Sequence, residues 1–243
     1  MLTLATQAPG EAEIFASEQG EGPSAGMPVA FIRLSRCNLA CVWCDTAYTW
    51  HFEGDERPHR SGETFDRAEN QVKLSPEEAA KRIAAFGRDR VVITGGEPLM
   101  QAGKLAAMLE HLPDISVEIE TNGTVMPPAA LDGRVTQYNV SPKLAHSGNA
   151  AELALKPEML AHWAAEPRAF LKFVIAEPGD MDEVLELVAD YGFDKGHVFL
   201  MPEGTDSETL RSREKWLAPL ALKHGFRMTD RLHIHLYGDT RGT

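Results

Sequence analysis

The sequence predicts an α/β protein with a parallel sheet, arranged as a partial TIM-like barrel of the (β/α)6 type. Three observations predict this fold class. Short apolar runs typical of buried strands alternate with helical segments from residue 75 onwards. About six strand–helix units fit into the chain, which is too few for a complete eight-fold barrel. Polar motifs follow the strands, at the edge where such folds bind ligands.

The predicted elements follow one another regularly. Val29 to Leu34 is the first strand, and it leads directly into a loop that contains every cysteine. Ser75 can cap a helix that runs to about Phe86, because proline suits the first helical position and Glu78 can close a capping box. Further strands are expected over residues 90–94, 116–120, 135–140, 169–176 and 197–201, and helices over 105–112, 150–164, 181–191 and 207–224. This order predicts right-handed βαβ units.

We expect a single domain over residues 1–243, a natural length for one barrel-like unit. Residues 48–73 are polar and rich in turn formers, which predicts a loop insertion that covers a substrate or contacts a second subunit. No apolar run is long enough to cross a membrane, and residues 1–10 lack a signal-peptide pattern, so a cytoplasmic location is expected.

The charge of the chain argues against nucleic acid as its direct substrate. The sequence has 36 acidic and 24 basic residues, which give a formal net charge of −12. Such a chain repels a phosphate backbone, and no cluster of lysine or arginine offsets this repulsion locally. A small-molecule substrate is therefore expected.

All three cysteines, Cys37, Cys41 and Cys44, lie in the spacing C-x3-C-x2-C. An odd, clustered set of this kind indicates metal or redox chemistry rather than a disulfide. Thiolates are the ligands of iron–sulfur clusters, and three of them leave one iron of a cuboidal cluster open for catalysis. The alternative is a zinc site, completed by His51 or His59.

Glycine and polar motifs follow three later strands. Thr94 to Pro98 (T-G-G-E-P) allows a close approach of backbone to ligand, and the carboxylate of Glu97 could receive an amine. The stretches 120–124 (E-T-N-G-T) and 141–143 (S-P-K) come later. Taken separately, each is also consistent with an ordinary polar turn.

The cysteine loop resembles that of the radical S-adenosylmethionine (SAM) superfamily, whose motif is C-x3-C-x-aromatic-C, with Trp43 at the aromatic position. The Gly95-Gly96-Glu97 turn is similar to the superfamily element that meets the methionyl amine. This resemblance implies a radical SAM core in which the open iron of a four-iron four-sulfur cluster binds SAM and yields a 5′-deoxyadenosyl radical.

Several stretches together resemble one family, the 7-carboxy-7-deazaguanine synthases of queuosine biosynthesis. They are Q-G-E-G at 19–22, F-I-R-L at 31–34, C-V-W-C-D-T at 41–46, V-I-T-G-G-E-P at 92–98, E-I-E-T-N-G-T at 118–124 and V-S-P-K at 140–143. The resemblance implies a lyase that contracts the ring of 6-carboxy-5,6,7,8-tetrahydropterin to 7-carboxy-7-deazaguanine and releases ammonia. It further implies Mg²⁺, an electron donor such as flavodoxin and a homodimer.

The resemblance also implies which residues bind each component. Thr46 falls on the magnesium ligand, and its hydroxyl suits a hard cation. The SAM contacts would be Trp43, Cys44, Asp45, Gly96, Ser141, Pro142 and Lys143. The substrate contacts would be Glu18, Gln19, Gly20, Arg33, Thr94 and, in a tail similar to that of the family, Thr243. Arg33 would pair with the substrate carboxylate.

Some features depart from the family or leave alternatives open. L-M-P-E at 200–203 stands where the family often has a glutamine–proline pair. His233 and His235 alternate along an expected strand, which suits packing or surface positions better than catalysis. A glycyl-radical activase or another short radical SAM enzyme would share the cysteine loop and G-G-E-P, but it would not explain Q-G-E-G, Cys-Asp-Thr or S-P-K. A non-catalytic zinc or iron–sulfur module is the third alternative.

Overall fold

The computed structural model describes residues 1–243, with one eleven-stranded sheet and nine α-helices. The parallel part of the sheet consists of β4 (Pro28–Leu34), β6 (Arg90–Gly95), β7 (Ser116–Thr121), β8 (Gln137–Val140), β9 (Ala169–Ile175), β10 (Val198–Pro202) and β11 (Arg227–Met228). These strands are neighbours in the order β11-β10-β9-β8-β7-β6-β4, and every neighbouring pair is parallel. The sheet does not close on itself. The predicted α/β class and parallel sheet are confirmed.

Antiparallel strands extend the β4 side of the sheet. These are β1 (Leu2–Ala8), β2 (Glu11–Ala12), β3 (Ile14–Glu18) and β5 (Gln71–Leu74). β3 pairs with β4, and β1 pairs with β2, β4 and β5. None of these strands was predicted from the sequence, and residues 71–73 of β5 fall in the stretch expected to be a loop. β3 ends at Glu18, opposite Pro28 at the amino end of β4, and the Q-G-E-G motif continues from there to side chains of β7, where Gln19 donates to Glu118 and Glu120.

Five longer helices cover the sheet: α2 (Pro76–Ala84), α3 (Ala102–Leu109), α6 (Pro157–Ala165), α7 (Asp180–Tyr191) and α8 (Ser207–His224). The predicted cap of α2 is present, since the Ser75 hydroxyl accepts a hydrogen bond of 3.1 Å from the Glu78 N–H. The helix expected over 150–164 is two helices, α5 (Ala151–Ala154) and α6, because Pro157 cannot continue a helix but can begin one. α1 (Arg67–Asn70) and α4 (Ala129–Asp132) are short.

The segment that contains His233 and His235 is helix α9 (Leu232–Tyr237), not the expected strand. Alternation over so few residues does not separate a strand from a helix, and here tertiary contacts decide. The Leu232 N–H donates to the Gly20 carbonyl at 3.0 Å, and Ile234 is buried. Residues two apart on a helix point to nearly opposite sides, so the two histidines face different surroundings.

The main core cluster contains 42 buried residues between the sheet and its helices, and a separate cluster contains four. Trp163 of α6 packs against Tyr138 of β8 and donates its indole N–H to the Gly123 carbonyl at 2.9 Å. This bond fixes the loop after β7 to the core. No helix has both the length and the apolar character needed to span a membrane.

Candidate active site

A cavity of about 220 Å³ lies at the carboxyl ends of the parallel strands. The loops after β4, β6, β7 and β8 line it, together with α9 and the last residues of the chain. Of the site residues predicted from the sequence, Pro142 and Glu97 do not line the cavity, and neither do the alternative zinc ligands His51 and His59. Those that do are Glu18, Gln19, Gly20, Arg33, Cys37, Cys41, Trp43, Cys44, Asp45, Thr46, Thr94, Gly96, Ser141, Lys143 and Thr243.

The cysteine loop and the G-G-E-P turn pack backbone against backbone. Arg36 has φ of 81°, which is unusual for a residue other than glycine, and its carbonyl accepts from the Glu97 N–H at 2.9 Å. A Cβ added to Gly96 would lie 2.0 Å from the Arg36 carbonyl oxygen. Glycine is therefore required at 96, since a side chain would displace the loop that presents the cysteines.

The three free thiols fit a multi-iron cluster better than a single zinc ion. All three line the cavity, but their sulfur atoms do not all lie within 4.8 Å of one another. Tetrahedral zinc with bonds of about 2.3 Å would hold its sulfurs about 3.8 Å apart. No set of three or more cysteine and histidine side chains brings its sulfur and ring-nitrogen atoms within 4.8 Å of one another, which argues against a zinc site completed by His51 or His59. Burial raises the pKa of Cys37 to about 12 and that of Cys44 to about 11, so metal binding would release protons.

Each cysteine sulfur has a polar side chain beside it. The amide of Asn149 donates to Cys41 Sγ at 3.3 Å, and the amide of Asn122 lies 3.8 Å from Cys37 Sγ. The Thr46 hydroxyl lies 3.6 Å from Cys44 Sγ. Asn149 also accepts from the Ala40 N–H at 2.9 Å, which fixes its amide beside the cysteine loop.

Glu97 does not face the cavity, and the expectation that its carboxylate receives an amine is wrong. The side chain is fully buried and accepts hydrogen bonds from the Thr121 hydroxyl at 2.9 and 3.0 Å. Its other donors are the N–H groups of Asn122 at 2.8 Å and Leu99 at 2.9 Å. The carboxylate therefore joins the loops after β6 and β7, and its hydrogen-bonding capacity is used within the protein.

A buried ion network closes one side of the cavity. The Glu21 carboxylate contacts Lys172 of β9 and, at 2.9 Å, Arg231 Nε, and all three residues are more than 90% buried. Arg231 also pairs with Asp45 and donates to the Gly204 carbonyl at 2.6 Å. Burial alone would raise the pKa of Glu21, but Lys172 and Arg231 hold it well below its usual range. No sequence motif marks Lys172 or Arg231, because each meets Glu21 only across a long stretch of chain.

Hydrogen-bonded carboxylates form another wall. Gln19 donates to Glu118 at 2.7 Å and to Glu120 at 3.1 Å, and the Thr94 hydroxyl donates to Glu120 at 2.7 Å. Gly20 lies against His233, where an added Cβ would be 2.0 Å from the ring Nδ1. The Q-G-E-G segment is thus held by side chains from β7 and α9.

Arg33 is anchored at the base of the cavity. Its Nε lies 2.8 Å from Glu13 Oε1, and Glu13 also accepts from the Tyr48 hydroxyl at 2.9 Å. The Arg33 side chain retains 18% exposure and lines the cavity. An anchored guanidinium of this kind is suited to pair with a ligand carboxylate.

The loop after β8 also lies against the cysteine loop. Lys143 donates to the Ser141 hydroxyl at 2.8 Å, and its ammonium lies 5.7 Å from the centre of the Trp43 ring. Trp43 stacks on His146 with ring centres 5.5 Å apart. These contacts bring the aromatic residue of the cysteine motif together with S-P-K.

The insertion predicted over 48–73 packs on the cysteine loop. His59 Nε2 lies 2.9 Å from the Cys44 carbonyl, and the Arg60 N–H donates to the Val42 carbonyl at 2.7 Å. The Arg60 guanidinium reaches Glu203 after β10 at 2.6 Å. The insertion therefore links the cysteine loop to the far side of the sheet, and its Tyr48 and Trp50 line the cavity.

The last residues form part of the cavity rim. Arg241 stacks over Tyr48 at 3.6 Å from the ring centre and donates to Asn70 at 2.9 Å. Thr243 lines the cavity, as does Met201 in the stretch that departs from the resembled family.

Comparison with known proteins agrees with this geometry. Residues 31–143 match the model of the radical SAM superfamily. The chain is 38% identical to the 7-carboxy-7-deazaguanine synthase of Pyrobaculum aerophilum, over 95% of both chains. It is 36% identical to that of Halobacterium salinarum, over 95% of this chain and 91% of the relative. The crystal structure of QueE from Escherichia coli superposes with a TM-score of 0.64 at 26% identity, over 95% of both chains. The chain therefore belongs to the 7-carboxy-7-deazaguanine synthase family of radical SAM enzymes.

Proposed function

We propose that this chain converts 6-carboxy-5,6,7,8-tetrahydropterin to 7-carboxy-7-deazaguanine with loss of ammonia, and so acts as a carbon–nitrogen lyase. The observation that carries the proposal is the family relationship over 95% of the chain, together with one cavity that gathers the predicted motifs. Neither a glycyl-radical activase nor a metal-binding module accounts for this combination.

The radical chemistry would come from a four-iron four-sulfur cluster held by Cys37, Cys41 and Cys44. With SAM bound, such a cluster supplies the electron that cleaves the sulfonium and yields a 5′-deoxyadenosyl radical. The protein's own task is to hold cofactor and substrate in contact and to exclude water. Trp43, Asp45, Gly96 and the loop of Ser141, Pro142 and Lys143 would bind SAM. Pro142 would act by shaping this loop, since it does not line the cavity.

Substrate recognition would rely on Arg33 and on the Q-G-E-G wall. Arg33 would pair with the substrate carboxylate, because its Nε is anchored by Glu13 while the side chain lines the cavity. Glu18, Gln19 and Gly20 would meet the hydrogen-bonding edge of the pterin, and Thr94 and Thr243 would complete the enclosure. Glu120 lines the same wall and accepts hydrogen bonds from both Gln19 and Thr94.

Turnover by the cluster-loaded chain tests this function. Incubation with carboxytetrahydropterin, SAM, dithionite and Mg²⁺ should yield carboxydeazaguanine, identified by mass spectrometry. Cleavage of SAM without this product would favour the activase alternative. Absence of both cleavage and an iron–sulfur absorption spectrum would favour a module without radical chemistry.

Magnesium dependence tests the role of Thr46. Thr46→Ala should need about tenfold more Mg²⁺ for half-maximal turnover, because a hydroxyl ligand to a hard cation is lost. Thr46→Ser keeps the hydroxyl and serves as the matched control. If all three proteins reached half-maximal turnover at the same Mg²⁺ concentration, Thr46 would not be a magnesium ligand.

The cluster potential tests the role of Asn149. Hydrogen bonds to cluster-bound sulfur stabilise the reduced, more negative state. Asn149→Ala should therefore lower the midpoint potential, measured by redox titration followed by electron paramagnetic resonance. Asn122→Ala should shift it less, because that amide lies 3.8 Å rather than 3.3 Å from its sulfur. An unchanged potential in Asn149→Ala would show that this contact does not act on the cluster.

Two partners complete the proposal. The chain would receive its electron from a small donor such as flavodoxin, and it would act as a homodimer. Reduction of the cluster by flavodoxin and sedimentation of the loaded protein would test these two points.

A further inference from the structure

A second group of metal-ligand side chains lies outside the cavity. It consists of Glu214 on α8, Asp230 between β11 and α9, and His235 on α9. One ligand atom of each lies within 4.8 Å of those of the other two. None of the three residues lines the cavity, so this group is separate from the cysteine loop and from Thr46.

The spacing of these atoms suits a tetrahedral ion. His235 Nε2 lies 3.1 Å from Asp230 Oδ1 and 3.6 Å from Glu214 Oε1. Zinc bound to nitrogen and oxygen at about 2.0–2.1 Å holds its ligand atoms about 3.4 Å apart. The two distances bracket this value, so an ion needs only small side-chain movements to enter.

The histidine is oriented as metal-binding histidines are. Its Nδ1 lies 2.9 Å from the Ser207 hydroxyl. A proton on Nδ1, donated to Ser207, leaves the Nε2 lone pair directed towards the two carboxylates. A polar partner on the outer ring nitrogen is the usual companion of a metal-bound imidazole.

The group also lacks a partner for one of its oxygens. Glu214 Oε1 is shielded from solvent and has no hydrogen-bond donor. The only basic side chain within ion-pair distance of either carboxylate is His235. A shielded carboxylate oxygen without a partner is costly, and a divalent cation would supply the missing partner.

We propose that Glu214, Asp230 and His235 bind a zinc-like divalent ion, with water as the fourth ligand. One imidazole and two carboxylates suit zinc, whereas Mg²⁺ prefers six oxygens. The ion clamps α9 to α8. His233 and His235 lie on opposite sides of α9. The ion would therefore bind the side of α9 that faces away from the cavity and fix the helix that presents His233 to the cavity.

Zinc binding to the cluster-loaded full chain tests the proposal, since the cluster keeps the thiols occupied. We expect one zinc per chain after equilibrium dialysis with micromolar ZnCl2 and excess Mg²⁺, measured together with iron by mass spectrometry. Glu214→Gln and His235→Ala should each weaken zinc binding at least about 30-fold, and Ser207→Ala about tenfold. His111→Ala, which removes an exposed histidine elsewhere, should bind zinc as the wild type does.

Hydrogen exchange gives a second readout. Zinc should slow exchange of the amides over 230–237 in the wild type but not in His235→Ala. If the ligand variants do not fold, Ser207→Ala still decides, because Ser207 orients His235 without binding the ion. The proposal is overturned if the wild type takes up no zinc, or if Ser207→Ala and Glu214→Gln bind it as tightly as the wild type does.

Discussion

Cys41→Ala abolishes 5′-deoxyadenosine formation under reducing conditions. A cluster held by three cysteines has no spare protein ligand, and Cys41 is the most buried of the three. Its replacement should leave the chain with little bound iron and no electron to transfer to SAM. Chromatographic quantification of 5′-deoxyadenosine, beside iron and sulfide per chain, measures the effect. The expected loss is complete, below about 0.1% of the wild-type rate.

Val42→Ala is the matched control for this variant. Val42 lies in the same loop but does not line the cavity. It should retain its cluster and cleave SAM within a few-fold of the wild type. Undiminished 5′-deoxyadenosine from Cys41→Ala would refute the assignment of the cysteine loop.

Glu21→Ala destabilises the fold by about 3–5 kcal/mol. The substitution leaves the buried side chains of Lys172 and Arg231 without the carboxylate that both contact. Removing one member of a buried ion network costs this much, because the remaining charges stay desolvated. Anaerobic denaturant unfolding of the cluster-loaded protein measures the loss. Glu11→Ala, which removes an exposed carboxylate from β2, should stay within about 0.5 kcal/mol of the wild type.

The same residue gives a pH dependence of defined sign. The pKa of Glu21 is lowered in the folded protein, so its stabilising contribution is present above the unfolded pKa, near 4.5. The contribution is lost as the pH falls below that value towards the folded pKa. The wild type should therefore lose stability more steeply than Glu21→Ala between about pH 5 and pH 3. If the free energies of unfolding of the two proteins fell in parallel with pH, Glu21 would not be the source of the acid sensitivity.

The sequence predicted those parts of the site that short motifs encode. The cysteines, the glycine turn and S-P-K each follow a strand of the parallel sheet, which brings these strand ends together. Q-G-E-G follows the antiparallel strand β3, and Gln19 holds it against β7. Motifs do not show which way a side chain points, and Glu97 turned inwards to Thr121 and Asn122. Lys172 and Arg231 carry no local signal, because they meet Glu21 across 151 and 210 residues of chain.

The fold, like the site, has parts that the sequence predicted and parts that it did not. Continuous apolar strands such as β6 and β9 stand out in the sequence, since they are buried on both faces. β1 alternates and β5 is short, and both depend on pairing with neighbouring strands: β5 pairs with β1, and β1 pairs also with β2 and β4. Pro157 is a sequence signal for the break between α5 and α6. The apolar pattern of residues 150–164 runs across this proline and predicted one continuous helix instead.

Arg231 has a consequence for how the molecule responds to acid. The sheet is open between β11 and the antiparallel strands, and Arg231 spans this seam through Glu21 and Asp45 instead of through strand pairing. A seam held by charge loosens only when its carboxylates take up protons, whereas a ladder of backbone hydrogen bonds does not depend on such a change. Burial would raise the pKa values of Glu21 and Asp45, but the charges of nearby basic side chains lower both, so mild acid leaves the two carboxylates ionised. The seam should therefore stay closed in mild acid and keep water from the radical chemistry for as long as the strands remain intact.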